Sequence, residues 1–153
     1  MVILLAAIVS GCGNRADNQL AISSDGSAVI QDAYDGHLNH NWSCGSLRAA
    51  FQRLPTDGVY QTLPVMIGEA TAKRCDSALA GLRVGGTRAQ VQQQLGRPNS
   101  GHRCWVLQWP PADEGQALLY KVAHPSKPLS NVDGARVCFR AGRVRQIQTA
   151  MHG

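Results

Sequence analysis

Cysteine is the residue type in this sequence with the most chemistry to offer. There are five cysteines, Cys12, Cys44, Cys75, Cys104 and Cys138. A cysteine thiolate can act as a nucleophile, bind a metal or carry a lipid, and two cysteines can form a disulfide. Because the number is odd, one cysteine stays outside any set of intramolecular pairs. The cysteine with a different sequence context is Cys12.

Cys12 follows a short apolar leader, Met1 to Gly11, and precedes a polar segment. The leader is too short for a permanent membrane helix, which needs about 20 residues, but it has the length of a signal-peptide core. Val9-Ser10-Gly11-Cys12 resembles the bacterial lipobox, in which the cysteine is linked to diacylglycerol and becomes the acylated first residue after cleavage. This resemblance implies a lipoprotein signal peptide over 1–11 and lipidation of Cys12. The alternative is a buried N-terminal strand or helix.

Acyl chains on Cys12 would anchor the chain to a membrane without any further membrane-binding surface. Gly13 follows the cysteine in place of the Asp that retains lipoproteins at the inner membrane, so the resemblance implies the periplasmic face of the bacterial outer membrane. Residues 12–43 are then predicted to comprise the lipidated cysteine and a polar tether, and residues 44–153 a single domain.

The other four cysteines allow three pairings, and an exported protein enters an oxidising compartment that favours disulfides. A disulfide requires Cα atoms roughly 4.4–6.8 Å apart, a separation that neighbouring strands supply. Cys104 and Cys138 both lie on predicted strands, on the face opposite the aromatic residues, so we expect them to pair. Residues 110–134 should then form an excursion or an edge strand, and Cys44 would pair with Cys75.

A metal site is the competing interpretation of Cys44, because His37 and His40 lie within eight residues of it. No second cluster completes a structural zinc site, so we expect neither a metal nor a cofactor. The sequence also lacks a Gly-x-Ser-x-Gly motif, a Walker loop and a His-Glu-x-x-His motif. Paired or lipidated cysteines leave no free thiol nucleophile. We therefore expect a protein that is not an enzyme and has no small-molecule substrate.

Hydrophobic periodicity predicts helices ahead of strands. The predicted helices span residues 46–54, with Ser46 as the cap, 64–81 and 87–96. Thr87 and Gln90 have the spacing of a capping box. Alternation predicts strands at 102–109, 135–140 and 143–149, with a further strand at 117–122. The core residues should be Trp105, Leu107, Trp109, Val137 and Phe139, packed against Val91 and Leu95. The fold class is α+β, with short helices on one face of a three- or four-stranded antiparallel sheet.

The segment 82–98 resembles the helix signature of the BamE/SmpA/OmlA outer-membrane lipoproteins. It contains an apolar-x-x-Gly-x-Thr entry, a Gln90-Val91 pair and a Leu-Gly-x-Pro end, followed by Trp105 and a Gly142-Arg143-Val144 turn. The resemblance implies a small non-enzymatic subunit that supports assembly of outer-membrane proteins and contacts an envelope protein partner and anionic lipid. Related β-lactamase inhibitor proteins use a similar helix-then-sheet repeat. The alternative function is therefore a periplasmic inhibitor or immunity-type protein that binds a secreted enzyme.

The net charge of +5, from 15 basic and 10 acidic residues, permits contact with anionic surfaces but does not require it. We expect no nucleic-acid partner. Arg136, Arg140, Arg143 and Arg145 cluster near the last predicted hairpin. The favoured interpretation is a solvated edge strand whose charges prevent pairing with other chains. Contact of these arginines with anionic lipid or with a protein partner is the alternative.

Overall fold

Alternation of apolar and polar residues in the C-terminal half produces an antiparallel sheet, and the helices cover one of its faces. The structure is a computed structural model that describes residues 20–55, 61–111, 114–123 and 133–150. Its helices are α1 (Ser27–Asp32), α2 (Cys44–Arg53), α3 (Thr62–Gly81), α4 (Arg88–Leu95) and α5 (Glu114–Ala123), and its strands are β1 (Cys104–Trp109), β2 (Asp133–Arg140) and β3 (Arg143–Ala150). The predicted α+β class is confirmed.

The sheet has the strand order β1-β2-β3, with both neighbouring pairs antiparallel. Cys104 lies opposite Cys138, and a register shift follows at Cys138 and Phe139. Ala141 and Gly142 connect β2 to β3 with φ angles of 51° and 76°. Two successive positive φ angles match the twist of a two-residue hairpin. The predicted hairpin and the position of β3 at an edge of the sheet are therefore confirmed.

One face of the sheet forms the main hydrophobic core. The predicted core residues are all buried: Trp105, Leu107, Trp109, Val137 and Phe139 from the strands, and Val91 and Leu95 from α4. The rings of Trp105 and Phe139 meet edge to face, with centroids 4.7 Å apart. Because side chains alternate across a strand, this burial leaves the intervening residues on the opposite face of the sheet. We call that opposite face the open face.

Helix α4 begins with the predicted capping box. The Thr87 side chain accepts a hydrogen bond from the Gln90 backbone N–H at 3.2 Å, and the Gln90 side chain accepts one from the Thr87 N–H at 2.8 Å. The helix ends at Gly96, whose φ of 80° favours glycine. A Cβ on Gly96 would lie 2.5 Å from the Cα of Gly45 in α2, so the two glycines allow α2 and α4 to approach closely.

A second hydrophobic cluster lies among the helices and corrects the predicted tether. Val29, Ala33 and Trp42 are buried in this cluster together with residues of α2 and α3. The segment from residue 20 also pairs with the chain ahead of α2, because the Ala21 N–H donates to Asn41 at 2.8 Å. Residues 20–43 are therefore part of the folded domain. Within the range predicted as a tether, residues 12–19 lie outside the described residues.

Two other local predictions were wrong. Helix α2 begins at Cys44 with Ser43 as its cap, and Ser46 lies one turn inside, where its N–H donates to the Ser43 hydroxyl at 3.2 Å. Residues 117–122 belong to α5 and do not form a strand. A short apolar run cannot be assigned to strand or helix by periodicity alone. In α5 the deciding contacts are tertiary, since Tyr120 packs against Phe51 with ring centroids 5.5 Å apart.

Candidate functional site

Four of the five cysteines form two disulfides with the expected pairing. Cys44 joins Cys75 with an S–S distance of 2.05 Å and a Cα separation of 4.9 Å. Cys104 joins Cys138 with an S–S distance of 2.10 Å and a Cα separation of 3.9 Å, which is shorter than the expected range of roughly 4.4–6.8 Å. The first disulfide links α2 to α3 inside the main core, and the second joins β1 to β2 on the open face. Cys12, the predicted lipidation site, lies outside the described residues.

The direct pairing of β1 with β2 also confirms that the chain between them leaves the sheet. Of residues 110–134, the structure describes 110–111, helix α5 and the first two residues of β2. The excursion thus contains a helix that packs on α3, and no described strand separates the two disulfide-bonded strands. This is the geometry that the Cys104–Cys138 disulfide requires.

Two of the three residues of the competing metal hypothesis have other side-chain partners. The Cys44 sulfur is bonded to Cys75, so it is not a thiolate ligand. The His40 Nδ1 atom lies 3.0 Å from the Asp32 carboxylate, whereas the hydrogen bond of His37 to Asp35, at 3.0 Å, is donated by its backbone N–H. In the described parts of the chain, no three His, Cys, Asp or Glu residues are grouped in a way that could hold a metal ion.

The Asp32 carboxylate is a hydrogen-bonding centre that no sequence pattern indicated. It accepts from the Trp42 indole N–H at 2.7 Å and from the backbone N–H groups of Asn39 and His40 at 3.0 and 3.1 Å. Burial by itself would raise the pKa of Asp32, but the hydrogen bonds from Trp42 and His40 outweigh it and lower the pKa below the usual value. Asp32 therefore fastens the segment after α1 to the second hydrophobic cluster.

Arg48 is a buried cationic residue whose role no sequence pattern indicated. It lies on α2 with 4% of its surface exposed. Its guanidinium donates to the backbone carbonyls of Leu95 and Arg97, the latter at 3.0 Å, and to the Gln108 carbonyl at 2.8 Å. It also donates to the Asn99 side chain. All these acceptors are uncharged, and burial lowers the pKa of Arg48 to about 10, so it remains protonated at neutral pH.

These contacts give Arg48 a structural role at the end of α4. The Leu95 carbonyl belongs to the last turn of that helix, where carbonyl groups lack partners within the helix and a positive charge is favourable. Through Gln108 and Asn99 the same guanidinium holds β1 and the loop before it. The sequence signal for the burial of Arg48 was its position on the helix. Arg48 lies beside Leu47 and three residues before Phe51, on the apolar side of α2.

A cavity of about 370 Å³ lies beside Arg48, between α2, α4 and the segment that begins at residue 22. Its polar lining includes Ser23, Ser43, Ser46, Gln52, Gln92 and Gln93. Two of the hydroxyls are already used in helix capping, because the Ser43 and Ser46 oxygens lie 2.7 Å apart and Ser46 also accepts from the Ser23 N–H at 2.8 Å. Among the described residues that line this cavity, none is a histidine or a carboxylate.

The open face holds most of the predicted arginine cluster. In the register of the sheet, Arg136 lies between Val106 and Gln148, and Arg140 lies opposite Arg143. These positions have the same side-chain direction as the Cys104–Cys138 disulfide, since they are two residues apart along each strand. Arg145 occupies the extra position at the register shift. Four exposed cations are thus placed on or beside one side of a two-strand hairpin.

Comparisons with protein-family models, with curated proteins and with solved structures found no match to this chain. The resemblance to the BamE/SmpA/OmlA lipoproteins therefore stays a prediction from sequence motifs. None of the helices in the described residues is both long and apolar enough to cross a membrane.

Proposed function

We propose that this chain is a non-enzymatic lipoprotein of the bacterial cell envelope. In this proposal acyl chains on Cys12 anchor it to the periplasmic face of the outer membrane, where it acts as a binding or scaffold module in envelope or outer-membrane protein assembly. The main support is the open face, which carries Arg136, Arg140 and Arg143 as exposed side chains in the part of the chain that the structure describes. A sheet held by a disulfide and covered on one side presents a rigid surface for another macromolecule.

The other described features agree with a binding role. The buried polar groups that the structure describes serve to hold elements together, as Arg48 and Asp32 do. The segment from residue 20 is docked on the domain, so any tether to Cys12 consists of the residues before it. The domain would then be held close to the membrane that carries its anchor.

Intact-mass spectrometry of the protein purified from bacterial membranes tests the anchor directly. We expect a mass in which residues 1–11 are removed and acyl groups are added at Cys12. Alkylation before reduction should label no thiol, and alkylation after reduction should label the four cysteines that the structure pairs. The Cys12→Ser variant should keep its leader and gain no acyl mass. A wild-type mass with the leader retained and no lipid would refute the lipoprotein proposal.

Affinity capture from detergent-solubilised envelopes tests the role in assembly. We expect components of an outer-membrane assembly complex to be recovered, and we expect Arg136→Glu/Arg140→Glu on the open face to reduce their recovery. Arg53→Glu, which reverses an exposed charge on α2, is the matched control and should leave recovery unchanged. If reversing the open-face charges has no effect, this face is not the binding surface.

An inhibitor or immunity-type protein that binds a secreted enzyme is the second candidate, and one observation favours it. Helix α5 lies outside the sheet and exposes Leu119 and Val122, with 68% and 56% of their surfaces accessible, one turn apart. Two exposed apolar side chains on one helix face can insert into a cleft of a partner. In the same affinity capture, recovery of a soluble hydrolase in place of assembly components would support this candidate over the first. The Leu119→Ser variant should then no longer recover the hydrolase.

A further inference from the structure

The two edges of the sheet differ in how their backbone groups are satisfied. The edge of β1 is closed by the loop before it, since Val106 exchanges hydrogen bonds of 2.8 and 2.9 Å with Asn99 and Ser100. The edge of β3 is closed only at its start, where Val144 donates to Gly86 at 2.7 Å and accepts from Gly85 at 2.8 Å. Over residues 145–149, no described residue hydrogen-bonds to the outer side of β3. We call residues 145–149 the free edge.

The region around the free edge has an unusual charge distribution. Residues 77–111 and 134–150 contain eight arginines and no lysine, aspartate or glutamate. Four of these arginines lie in β2 and β3. The two side-chain ion pairs among the described residues, Arg53–Asp25 and His40–Asp32, lie in the N-terminal half. Asp133 and Asp76 lie at the other end of the sheet, beside Trp109, and no described ion pair involves the four arginines of β2 and β3. The hairpin end of the sheet is therefore positive, and guanidinium groups favour paired contacts with carboxylates.

The two sides of the free edge differ in chemistry. On the open face, residues 145–149 place Gln146 opposite Cys138 and Gln148 opposite Arg136, and Arg145 lies at the register shift at one end. On the helix side, Ile147 is half-buried against the main core. A strand added to this edge would lie about 4.8 Å from β3. On the open face its side chains would lie beside Arg145 and the two glutamines, within reach of Arg136 on the next strand, and on the helix side they would meet the apolar surface of Ile147.

We propose that the free edge of β3 binds an extended acidic segment of a protein partner by strand addition. The bound segment alternates Glu or Asp with apolar residues, so that its carboxylates face the arginines and its apolar residues pack beside Ile147. Its backbone satisfies the outward N–H and C=O groups of residues 145–149. This inference rests on the proposed function as a binding module and specifies the chemistry of the partner.

A second copy of this chain does not fit the free edge as well. Antiparallel pairing of residues 145–149 with the same residues of a copy would place Arg145 opposite Thr149 of the second chain, so the copy would supply no carboxylate to the arginines. An anionic membrane surface would neutralise the arginines but offers no regular row of donors and acceptors to the backbone of β3. The combination of free backbone groups and uncompensated arginines therefore favours an acidic peptide.

The test uses the purified full chain in a non-ionic detergent with its disulfides intact. The probe is a synthetic eight-residue peptide of alternating Glu and Val. We expect saturable binding by calorimetry, and slower deuterium exchange of the backbone amides in residues 145–149. The same peptide with alternate backbone nitrogens methylated should bind at least tenfold more weakly, because it cannot donate to β3. An alternating Lys-Val peptide should not bind.

Charge variants test the arginines. Arg143→Glu/Arg145→Glu should weaken binding of the Glu-Val peptide at least tenfold. Arg97→Glu, an exposed arginine near the opposite edge of the sheet, should change it less than twofold. Equal binding of the methylated peptide, or no protection of residues 145–149, would overturn strand addition. Concentration-dependent dimers that protect these amides would assign the edge to a second copy, and binding only to phosphatidylglycerol vesicles would assign the arginines to lipid.

These outcomes are separable from those of the proposed function. Absence of peptide binding together with normal capture of assembly components rejects the free-edge proposal and leaves the binding module standing. Peptide binding by a chain that shows no acylation at Cys12 rejects the lipoprotein proposal and leaves the free edge as a docking site.

Discussion

Replacing Arg48 tests whether one buried guanidinium holds α2, α4 and β1 together. Its donors reach three backbone carbonyls and one side-chain oxygen, and no carboxylate is among these acceptors. In Arg48→Ala all four hydrogen bonds are lost. In Arg48→Lys the positive charge is kept, but a single ammonium group cannot reproduce the planar arrangement of donors.

The expected magnitude follows from the surroundings of the four acceptors. Arg97 and Asn99 are exposed residues, so water can replace the lost donor at their oxygens. Leu95 is buried and Gln108 is half-buried, so their carbonyls lose a charged partner without an equivalent replacement. Each buried acceptor left in this way costs roughly 1–3 kcal/mol. We expect Arg48→Ala to lower the free energy of unfolding by about 4 kcal/mol and Arg48→Lys to lower it by about 2 kcal/mol.

Urea unfolding at pH 7 with the disulfides intact measures this difference. A domain of this size has a free energy of unfolding of roughly 5–15 kcal/mol, so the variants should still fold. Arg53→Ala, on the same helix, is the control. Its ion pair with Asp25 is about half exposed on both sides and is screened by solvent, so its loss should lower the free energy of unfolding much less than Arg48→Ala does. A cost below about 1 kcal/mol for Arg48→Ala would refute the assigned role.

Two further predictions concern stability. Because hydrogen bonding lowers the pKa of Asp32 in the folded state, its contribution is complete above about pH 4 and is lost as the pH falls through the folded-state pKa. Asp32→Asn should therefore cost about 1–2 kcal/mol at pH 7 and less at pH 3, measured by urea unfolding followed by tryptophan fluorescence. An equal cost at both pH values would argue against the charged form. Gly45→Ala should lower the midpoint of thermal unfolding, since its Cβ would lie 2.7 Å from the Cα of Gly96, whereas Gly81→Ala has free space and should not. Equal midpoints in these two variants would contradict the close approach of α2 and α4.

The strands and α4 could be predicted because their signals are local. Apolar and polar side chains alternate along β1 and β2, which places the apolar ones on one face of the sheet independently of which strand is the partner. The burial of Trp105 and Val137 follows from this alternation. Thr87 and Gln90 are three residues apart, so their reciprocal hydrogen bonds depend only on the helix that they start. Residues of this kind carry their structural signal within a few positions of the chain.

The errors fall where the signal is not local. In residues 20–43 the apolar residues are interspersed with Asn, Asp, Ser and Gly without a clear period, a pattern that predicts a tether. Asp32, Val29 and Trp42 nevertheless attach the segment to a surface that exists only after α2 and α3 have packed. Residues 117–122 are compatible with a strand or a helix. The packing of Tyr120 on Phe51 and the burial of Lys121, whose ammonium donates to the Gln52 carbonyl at 2.8 Å, are tertiary contacts.

The sequence by itself determined the hairpin, the capping box and the division of five cysteines into one with a lipobox-like context and four that can pair. The tertiary structure decided which surfaces remain available and what holds the helices to the sheet. Arg48 illustrates the reason: its acceptors lie 47 to 60 residues away in the chain, and a charged side chain can be buried only where such distant polar groups converge. Similarly, the free edge of β3 is defined by the absence of a neighbour among the described residues, a property of strand order that no local pattern encodes.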